Sequence, residues 1–172
     1  MGFVSEESAS KIIPFSDFHF VTGTWTPTVT SNVWSNNHTA AADAPTVHIP
    51  IAPPVQDLKA LNQVGCQISS IDIWYSVATV ALTSLAAAIY RVQMPLDTVA
   101  IPAVTTPAFT YDDHHVLASN RATVNYHKMT LTLTPPIFLG NGDVLDVELA
   151  ISAASSSALK VYDAQVNYTL RI

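Results

Sequence analysis

The sequence predicts a single all-β domain, an antiparallel β-sandwich of the jelly-roll type with about eight to nine strands. Apolar and polar residues alternate with a period of two along most of the chain after residue 67, as in strands that cover one side of a core. Turn-forming residues, including many of the 11 prolines, separate the alternating runs. No helical periodicity extends beyond a turn or two, and the length of 172 residues fits one domain.

The first residues of the chain predict a flexible arm. Residues 1–13 are mostly small and polar, carry Glu6 and Glu7, and offer few apolar side chains for burial. A segment of this composition cannot order itself by burying apolar surface, so we expect it to be mobile and to gain order on a neighbouring subunit. Residues 14–172 show no change of composition and are predicted to form the single β-sandwich domain.

The strand predictions rest on alternation and on the high content of Val, Ile, Thr and Tyr. In the first clear case, Ile73 and Tyr75 point to one side and Trp74 points to the other. The C-terminal run is the most regular and places Tyr162 and Ala164 together on its apolar face. Since only one face of these strands is apolar, the sheets should be antiparallel with one face on the core. The predicted strands are 18–30, 46–51, 71–77, 84–93, 103–111, 122–126, 128–134, 145–151 and 162–172.

The connections between strands are predicted from polar residues, prolines and glycines. The polar stretch 31–45 predicts a long loop with a short helical turn at 40–44, and a loop of this length is a candidate for contacts. Turns are predicted at Asp112–Asp113, Pro135–Pro136 and Gly140–Asp143.

Charged residues are scarce, which limits the function classes open to this chain. Only 12% of the residues are Asp, Glu, Lys or Arg, about half of the usual share of roughly 25%. The seven basic residues are scattered and the net charge is −6, so binding to nucleic acid or to an anionic membrane is not expected. Two explanations of the low charge stay open: a Thr- and Ser-rich β surface, or a surface covered by neighbouring subunits, because interface cores are depleted of charge.

Neither a signal peptide nor a membrane-spanning segment is predicted. The N-terminus lacks the basic start and apolar run of a signal peptide, and the longest apolar stretch, 77–90, is interrupted by threonine and serine. An extracellular location would therefore require another route, such as cell lysis. Cys66 is the single cysteine, which excludes an intrachain disulfide, and a buried thiol is favoured over a nucleophile.

Residues that could bind a metal or carry catalysis are present, but their spacing does not bring them together. In the run Asp112–His115, neighbours on an extended segment point to opposite sides, so we interpret it as a solvated polar turn and expect no metal and no cofactor. Asp146 and Glu148 lie about 7 Å apart on one strand, whereas a glycosidase needs carboxylates that converge on a cleft. The chain is therefore not expected to be an enzyme, such as a lyase or a glycosidase.

The three tryptophans are the candidate interface or ligand contacts. Trp25 and Trp34 flank or lie in the predicted loop, and Trp74 lies opposite the apolar face of its strand. Aromatic rings at such positions suit a sugar-binding platform or a subunit interface. A third interpretation, that one sheet has both faces partly covered, stays open beside these two.

Several segments carry a family resemblance. The turn and strand GNGDVLDVEL are similar to the late strands of trimeric jelly-roll domains, among them complement-type and tumour-necrosis-factor-like heads. With the segment IDIWYSVATVALTSLAAAIYRV and the ending VYDAQVNYTLRI, the chain resembles the small jelly-roll structural proteins of tailed bacteriophages, namely capsid decoration (cement) and tail-associated proteins. The resemblance implies a homo-oligomer, first of all a trimer, with a major capsid or tail protein as a candidate partner and no catalytic residues.

From these observations we expect a non-enzymatic structural subunit of a virion or similar extracellular assembly that acts by self-association. The apolar fraction of 49% is difficult to accommodate on a monomer, since large exposed apolar patches are rare on monomers. The alternative is a carbohydrate-binding or receptor-binding β-sandwich module, with a glycan as its partner. Glycan binding that depends on aromatic rings separates the two, because a pure scaffold shows none.

Overall fold

The chain folds into two packed antiparallel sheets, which confirms the predicted all-β sandwich. A computed structural model describes residues 6–39, 41–52, 66–94, 102–140 and 142–171. These residues form 12 strands, more than predicted. The runs predicted at 18–30 and 103–111 are each divided in two, and two further strands lie in the predicted arm and loop, whereas the runs at 122–126 and 128–134 join into one strand. The strands are β1 (Glu6–Ile13), β2 (His19–Phe20), β3 (Trp25–Thr30), β4 (Val33–His38), β5 (Thr46–Ile51), β6 (Cys66–Ala78), β7 (Ser84–Gln93), β8 (Ala103–Thr105), β9 (Phe109–Tyr111), β10 (Asn125–Leu139), β11 (Asp143–Ser152) and β12 (Ala158–Arg171). The helical segments are a 3-10 turn (Phe15–Asp17) and α1 (Ala118–Ala122).

The strand order is that of a jelly roll. One sheet has seven strands in the order β3-β4-β12-β6-β10-β9, with β1 also paired to β12. The other sheet has five strands in the order β2-β5-β11-β7-β8. From β5 onward most connections carry the chain from one sheet to the other, and hydrogen-bonded neighbours are antiparallel.

The core lies between the sheets and is built from the apolar faces that the alternation predicts. Ile71 and Ile73 of β6 and Leu145 and Val147 of β11 are buried members of one cluster. Burial of each such side chain stabilises the fold by about 1.5–3 kcal/mol. Cys66 is buried at the start of β6, and burial raises the pKa of its thiol to about 11, so it is the unreactive thiol that the sequence predicts.

The prediction of a loop over 31–45 is wrong at β4, because this strand forms a hairpin with β3 and also pairs with β12. Ser35 and His38 of this strand are polar yet buried, so no apolar alternation marks it. Side-chain hydrogen bonds take the place of apolar packing. The hydroxyls of Thr28 and Ser35 lie 3.2 Å apart, and His38 Nε2 lies 3.1 Å from the Asp43 carboxylate.

Three further local predictions are corrected. Helix α1 occupies the start of the strand predicted at 122–126. Pro135 and Pro136 do not end a strand but lie inside β10, at the point where its register with β6 shifts. Prolines fit at such an irregularity because they cannot donate to the hydrogen-bond ladder. Residues 41–44 form no helical turn, and Ala40 lies outside the described residues.

Part of the segment predicted as a mobile arm takes part in the sheet. Strand β1 pairs along its whole length with β12, from Glu6 opposite Arg171 to Ile13 opposite Ala164. Backbone hydrogen bonds hold this strand, so its polar side chains need no burial, and Ile13 is its one buried residue. The sandwich therefore includes β1, whereas residues 1–5 of the predicted arm lie outside the described residues.

Candidate functional site

The outer face of the seven-stranded sheet carries a row of aromatic and basic side chains. Trp74 and Ser76 point outward from β6, since the residues between and beside them point to the core. Ser76 stands opposite Tyr126 of β10 and Lys160 of β12, and Trp74 stands opposite Lys128 of β10. Residues opposite each other on antiparallel strands have neighbouring side chains. The register therefore brings together side chains from three strands that are distant in sequence.

A β-bulge in β12 adds Tyr162 to this face. Val161 and Ala164 are both buried although they are three positions apart, and the register with β6 shifts between them. The extra residue changes the phase of the alternation, so Tyr162 leaves the apolar face predicted for it and points outward. Its hydroxyl lies 3.0 Å from the hydroxyl of Ser76, and its ring borders the same cavity as Trp74.

These side chains line three adjoining cavities, which we call the aromatic groove after Trp74, Tyr126 and Tyr162. The central cavity has a volume of about 470 Å³, and its walls include these three rings and Lys160. A second cavity of about 350 Å³ shares Tyr126 with it, and a third of about 270 Å³ shares Trp74 and Tyr162. The groove thus crosses β10, β6 and β12.

A hydrogen-bonded network fixes the sheet surface beside Trp74. Asp72 is only 4% exposed, accepts a hydrogen bond from Thr130 Oγ1 at 2.7 Å and pairs with Lys128 Nζ at 3.0 Å. Asn167 Nδ2 also donates to Asp72, at 3.3 Å. The Lys128 ammonium lies 5.5 Å from the centre of the Trp74 ring, within the range of a cation–π contact. A ring held in this way loses less entropy when a ligand binds.

A chain of titratable side chains lies at one end of the aromatic groove. His115 Nδ1 donates to Asp112 at 2.8 Å, and His115 Nε2 lies 3.1 Å from His127 Nδ1. His127 Nε2 then donates to the Thr123 carbonyl at 2.9 Å, and the His127 ring stacks on Tyr75 with ring centres 4.5 Å apart. The predicted turn is present and exposes Asp113 and His114, but His115 is buried, and its partner His127 comes from β10.

Two neutral imidazoles cannot donate in all three of these contacts at once. Each neutral ring has one N–H, whereas the contacts of His115 and His127 need a proton between each pair of atoms. Burial lowers the pKa of His127, the Thr123 carbonyl opposes this effect, and the neighbouring His115 lowers the pKa further. The charged form of His127 is therefore disfavoured relative to that of a free imidazole.

Arg121, at the end of α1, is buried with its guanidinium inside the fold. Nε donates to the Leu85 carbonyl at 2.8 Å, and Nη1 donates to the Val116 carbonyl at 3.0 Å. The guanidinium lies 4.0 Å from the centre of the Tyr111 ring, and the Tyr75 hydroxyl donates to the Arg121 carbonyl at 2.8 Å. Arg121 thus fastens the segment between β9 and β10 to both sheets. No local pattern in the sequence distinguishes it from a surface cation.

Of the three predicted contact residues, only Trp74 lines the aromatic groove. Trp25 packs on Phe20, with ring centres 4.7 Å apart, at the margin of the core. Trp34 is 60% exposed and stands opposite Val29 on the β3–β4 hairpin. The fold therefore does not unite the three tryptophans in one platform.

The carboxylates considered for catalysis lie on the outer face of the other sheet. Asp146 and Glu148 alternate with the buried residues of β11, and Asp146 pairs with His48 Nδ1 at 2.6 Å. Within the described ranges, no three His, Cys, Asp or Glu side chains lie close enough together to hold a metal ion. In the same part of the chain, no helix is long and apolar enough to cross a membrane.

Comparison with known proteins finds solved structures of similar fold but assigns the chain to no family. No protein-family model matches the chain, and no curated protein matches it. Among solved structures, the Agl-KA catalytic domain shares 9% identity at a TM-score of 0.41, over 91% of this chain and 27% of that one. The family 29 carbohydrate-binding module of Piromyces equi shares 12% identity at a TM-score of 0.37, over 94% of this chain and 90% of the module. TmCBM61, in complex with β-1,4-galactotriose, shares 7% identity at a TM-score of 0.36, over 95% of this chain and 88% of that one.

These likenesses concern the fold alone, and none of them bears on the function. The chain spans 27% of the Agl-KA catalytic domain and 23% of the Cry4Aa toxin of Bacillus thuringiensis, well under a third of either length. Of the predicted resemblance to phage structural proteins, the β-sandwich fold is supported, and the virion role is not.

Proposed function

We propose that this chain is a non-catalytic carbohydrate-binding module whose oligosaccharide ligand lies in the aromatic groove. The observation that carries the proposal is the set of three outward-facing rings, Trp74, Tyr126 and Tyr162, around a cavity of about 470 Å³. Tyr126 is 80% exposed. The core has its own apolar faces on the inner side of the sheets, so packing within the domain does not account for these rings.

The aromatic groove offers both kinds of contact that a sugar needs. A pyranose has faces of C–H groups, which pack on aromatic rings, and a rim of hydroxyls, which need hydrogen-bond partners. The rings supply the first contact, and side chains such as Lys160 and the exposed Ser31 supply the second. The volume of the central cavity lies within the range of about 300–1,000 Å³ that is typical of ligand sites. Because two further cavities adjoin it, the groove suits a chain of several sugar units.

Trp74→Ala should lower the affinity for an oligosaccharide by about tenfold or more, because a stacking surface at the junction of two cavities is lost. Isothermal titration calorimetry against a panel of oligosaccharides measures this change. Trp34→Ala is the matched control, since it removes an exposed tryptophan outside the groove, and it should leave the affinity unchanged. The proposal is wrong if the wild type binds no oligosaccharide, or if Trp74→Ala binds as tightly as the wild type.

A structural subunit is the second candidate, because one apolar surface favours self-association. Val29 and Trp34, which stand opposite each other on the β3–β4 hairpin, are 48% and 60% exposed. Exposed aromatic and apolar side chains that cluster in this way are typical of protein interfaces. In this proposal the chain is a homo-oligomer, a trimer on the resemblance alone, in a virion or another extracellular assembly.

Self-association should appear in analytical ultracentrifugation as a species larger than the 18.5 kDa monomer at tens of micromolar. High salt should not dissociate it, because apolar contacts are not screened as exposed ion pairs are. Trp34→Ala should shift the protein toward the monomer, and Trp74→Ala should not. A stable wild-type monomer would remove the structural candidate and leave the carbohydrate-binding module.

A further inference from the structure

The charges that line most of the aromatic groove are of one sign. The chain carries a net charge of −6. The walls of the central and second cavities nevertheless include Lys160 and Lys128, with no carboxylate among the described lining residues. A carboxylate, Asp163, enters only at the third cavity. Clefts lined by charges of one sign concentrate ligands of the opposite sign.

We propose that the ligand of the aromatic groove is an anionic oligosaccharide, whose carboxylate or sulfate group binds Lys160 in the central cavity. This inference rests on the proposed carbohydrate-binding function and specifies its substrate class. The rings of Trp74, Tyr126 and Tyr162 take the faces of the sugar units, and the Lys160 ammonium takes the charged substituent.

Lys160 is assigned this role because the charge of Lys128 is already compensated. Lys128 Nζ lies 3.0 Å from a carboxylate oxygen of Asp72. In the part of the chain that the structure describes, no carboxylate forms an ion pair with Lys160. Its cross-strand neighbours, Ser76 and Asn37, are uncharged. Lys160 therefore brings an uncompensated positive charge to a cavity walled by aromatic rings.

The carboxylate nearest in sequence does not cancel this charge. Asp163 Oδ1 accepts a hydrogen bond from the Phe15 backbone N–H at 3.0 Å. It lines the third cavity, beyond Trp74 and Tyr162, and is absent from the walls of the central cavity. The groove is therefore polarised along its length, with a cationic part over β10 and the start of β12 and an acidic side chain at the other end.

Oligosaccharide pairs that share one backbone test the inference. One pair sets a uronate against its methyl ester, and the other sets a sulfate ester against the parent alcohol. Calorimetry should show that the wild type prefers the charged member of at least one pair by about tenfold, as a charge-assisted hydrogen bond allows. The preference should shrink at high salt, since an ion pair at an open groove is screened. The two pairs distinguish a carboxylate from a sulfate ligand.

Three lysine variants complete the test. Lys160→Met should reduce the affinity for the charged member to that for the neutral member, and leave neutral binding unchanged. Lys160→Arg keeps the positive charge and should retain most of the preference. Lys11→Met removes the same charge from an exposed position on β1 and should bind as the wild type does, which controls for the change in net charge.

The two proposals fail in different ways. Equal affinity for both members of each pair, or a preference that survives Lys160→Met, would overturn the anionic ligand. If neutral oligosaccharides still bind through Trp74 in that case, the carbohydrate-binding function stands without it. If no oligosaccharide of either kind binds, both proposals fall.

Discussion

Replacing Arg121 by methionine should lower the free energy of unfolding by about 3 kcal/mol or more. Arg121 is 7% exposed, and methionine fills similar space but donates no hydrogen bond. The carbonyls of Leu85, His115 and Val116 then lose the donor that the guanidinium supplies. A buried acceptor left without its partner costs about 1–3 kcal/mol, and the contact over the Tyr111 ring is lost as well.

Urea denaturation followed by tryptophan fluorescence measures this loss, and the melting temperature should fall by about 6–12 °C. Arg121→Lys should be intermediate, since one ammonium does not reproduce the planar fork of donors. Lys11→Met removes an exposed cation and should change the stability by no more than about 0.5 kcal/mol. A loss below about 1 kcal/mol for Arg121→Met would mean that the three carbonyls find other donors.

Asp112→Asn should lower the free energy of unfolding by about 2–3 kcal/mol at neutral pH, and by much less in acid. Burial raises the pKa of the Asp112 carboxyl group, but hydrogen bonds from the Thr130 backbone, the His115 ring and the His114 backbone outweigh burial and lower it. The charged form therefore stabilises the fold. This stabilisation is fully present above the unfolded-state pKa of about 3.9, and it is lost as the pH falls through the lower pKa of the folded state.

Urea denaturation of the wild type and of Asp112→Asn, at neutral pH and again below about pH 3.5, measures the difference in their free energies of unfolding at each pH. Asp113→Asn is the control, because it removes the same charge from the neighbouring residue, whose side chain is exposed. Asp113→Asn should change the stability little at either pH. An equal loss for Asp112→Asn at both pH values would show that the shape of the side chain, and not its charge, stabilises the fold.

Strands with one apolar face could be predicted from the sequence because burial imposes a period of two. Ile71 and Ile73 of β6 and Leu145 of β11 are examples, and all are buried. Strand β4 departs from this rule because its buried Ser35 and His38 are polar, with Ser35 bonded to Thr28 and His38 Nε2 bonded to Asp43. A run of polar residues is then indistinguishable from a loop, since the partners that satisfy them lie elsewhere in the chain.

Within the candidate site, Trp74 could be predicted and its neighbours could not. An outward tryptophan stands out within its own alternating strand. Tyr126 joins it only through the register of β10 on β6, which no local pattern specifies. Tyr162 is assigned to the wrong face because one extra residue inverts the alternation. The change of phase between the buried Val161 and Ala164 is the signal that locates such a bulge.

The position of β12 in the seven-stranded sheet constrains how the domain folds. β12 follows every other strand in the sequence, yet it lies inside the sheet, with β6 on one side and β1 and β4 on the other. Among the described strands, β1 and the β3–β4 hairpin pair with the rest of the sheet through β12 alone. Residues near opposite ends of the chain must therefore meet before these strands gain their hydrogen bonds, and such non-local closure slows folding. A chain cut before β12 would leave three earlier strands without a template, exposing them to pairing with other molecules.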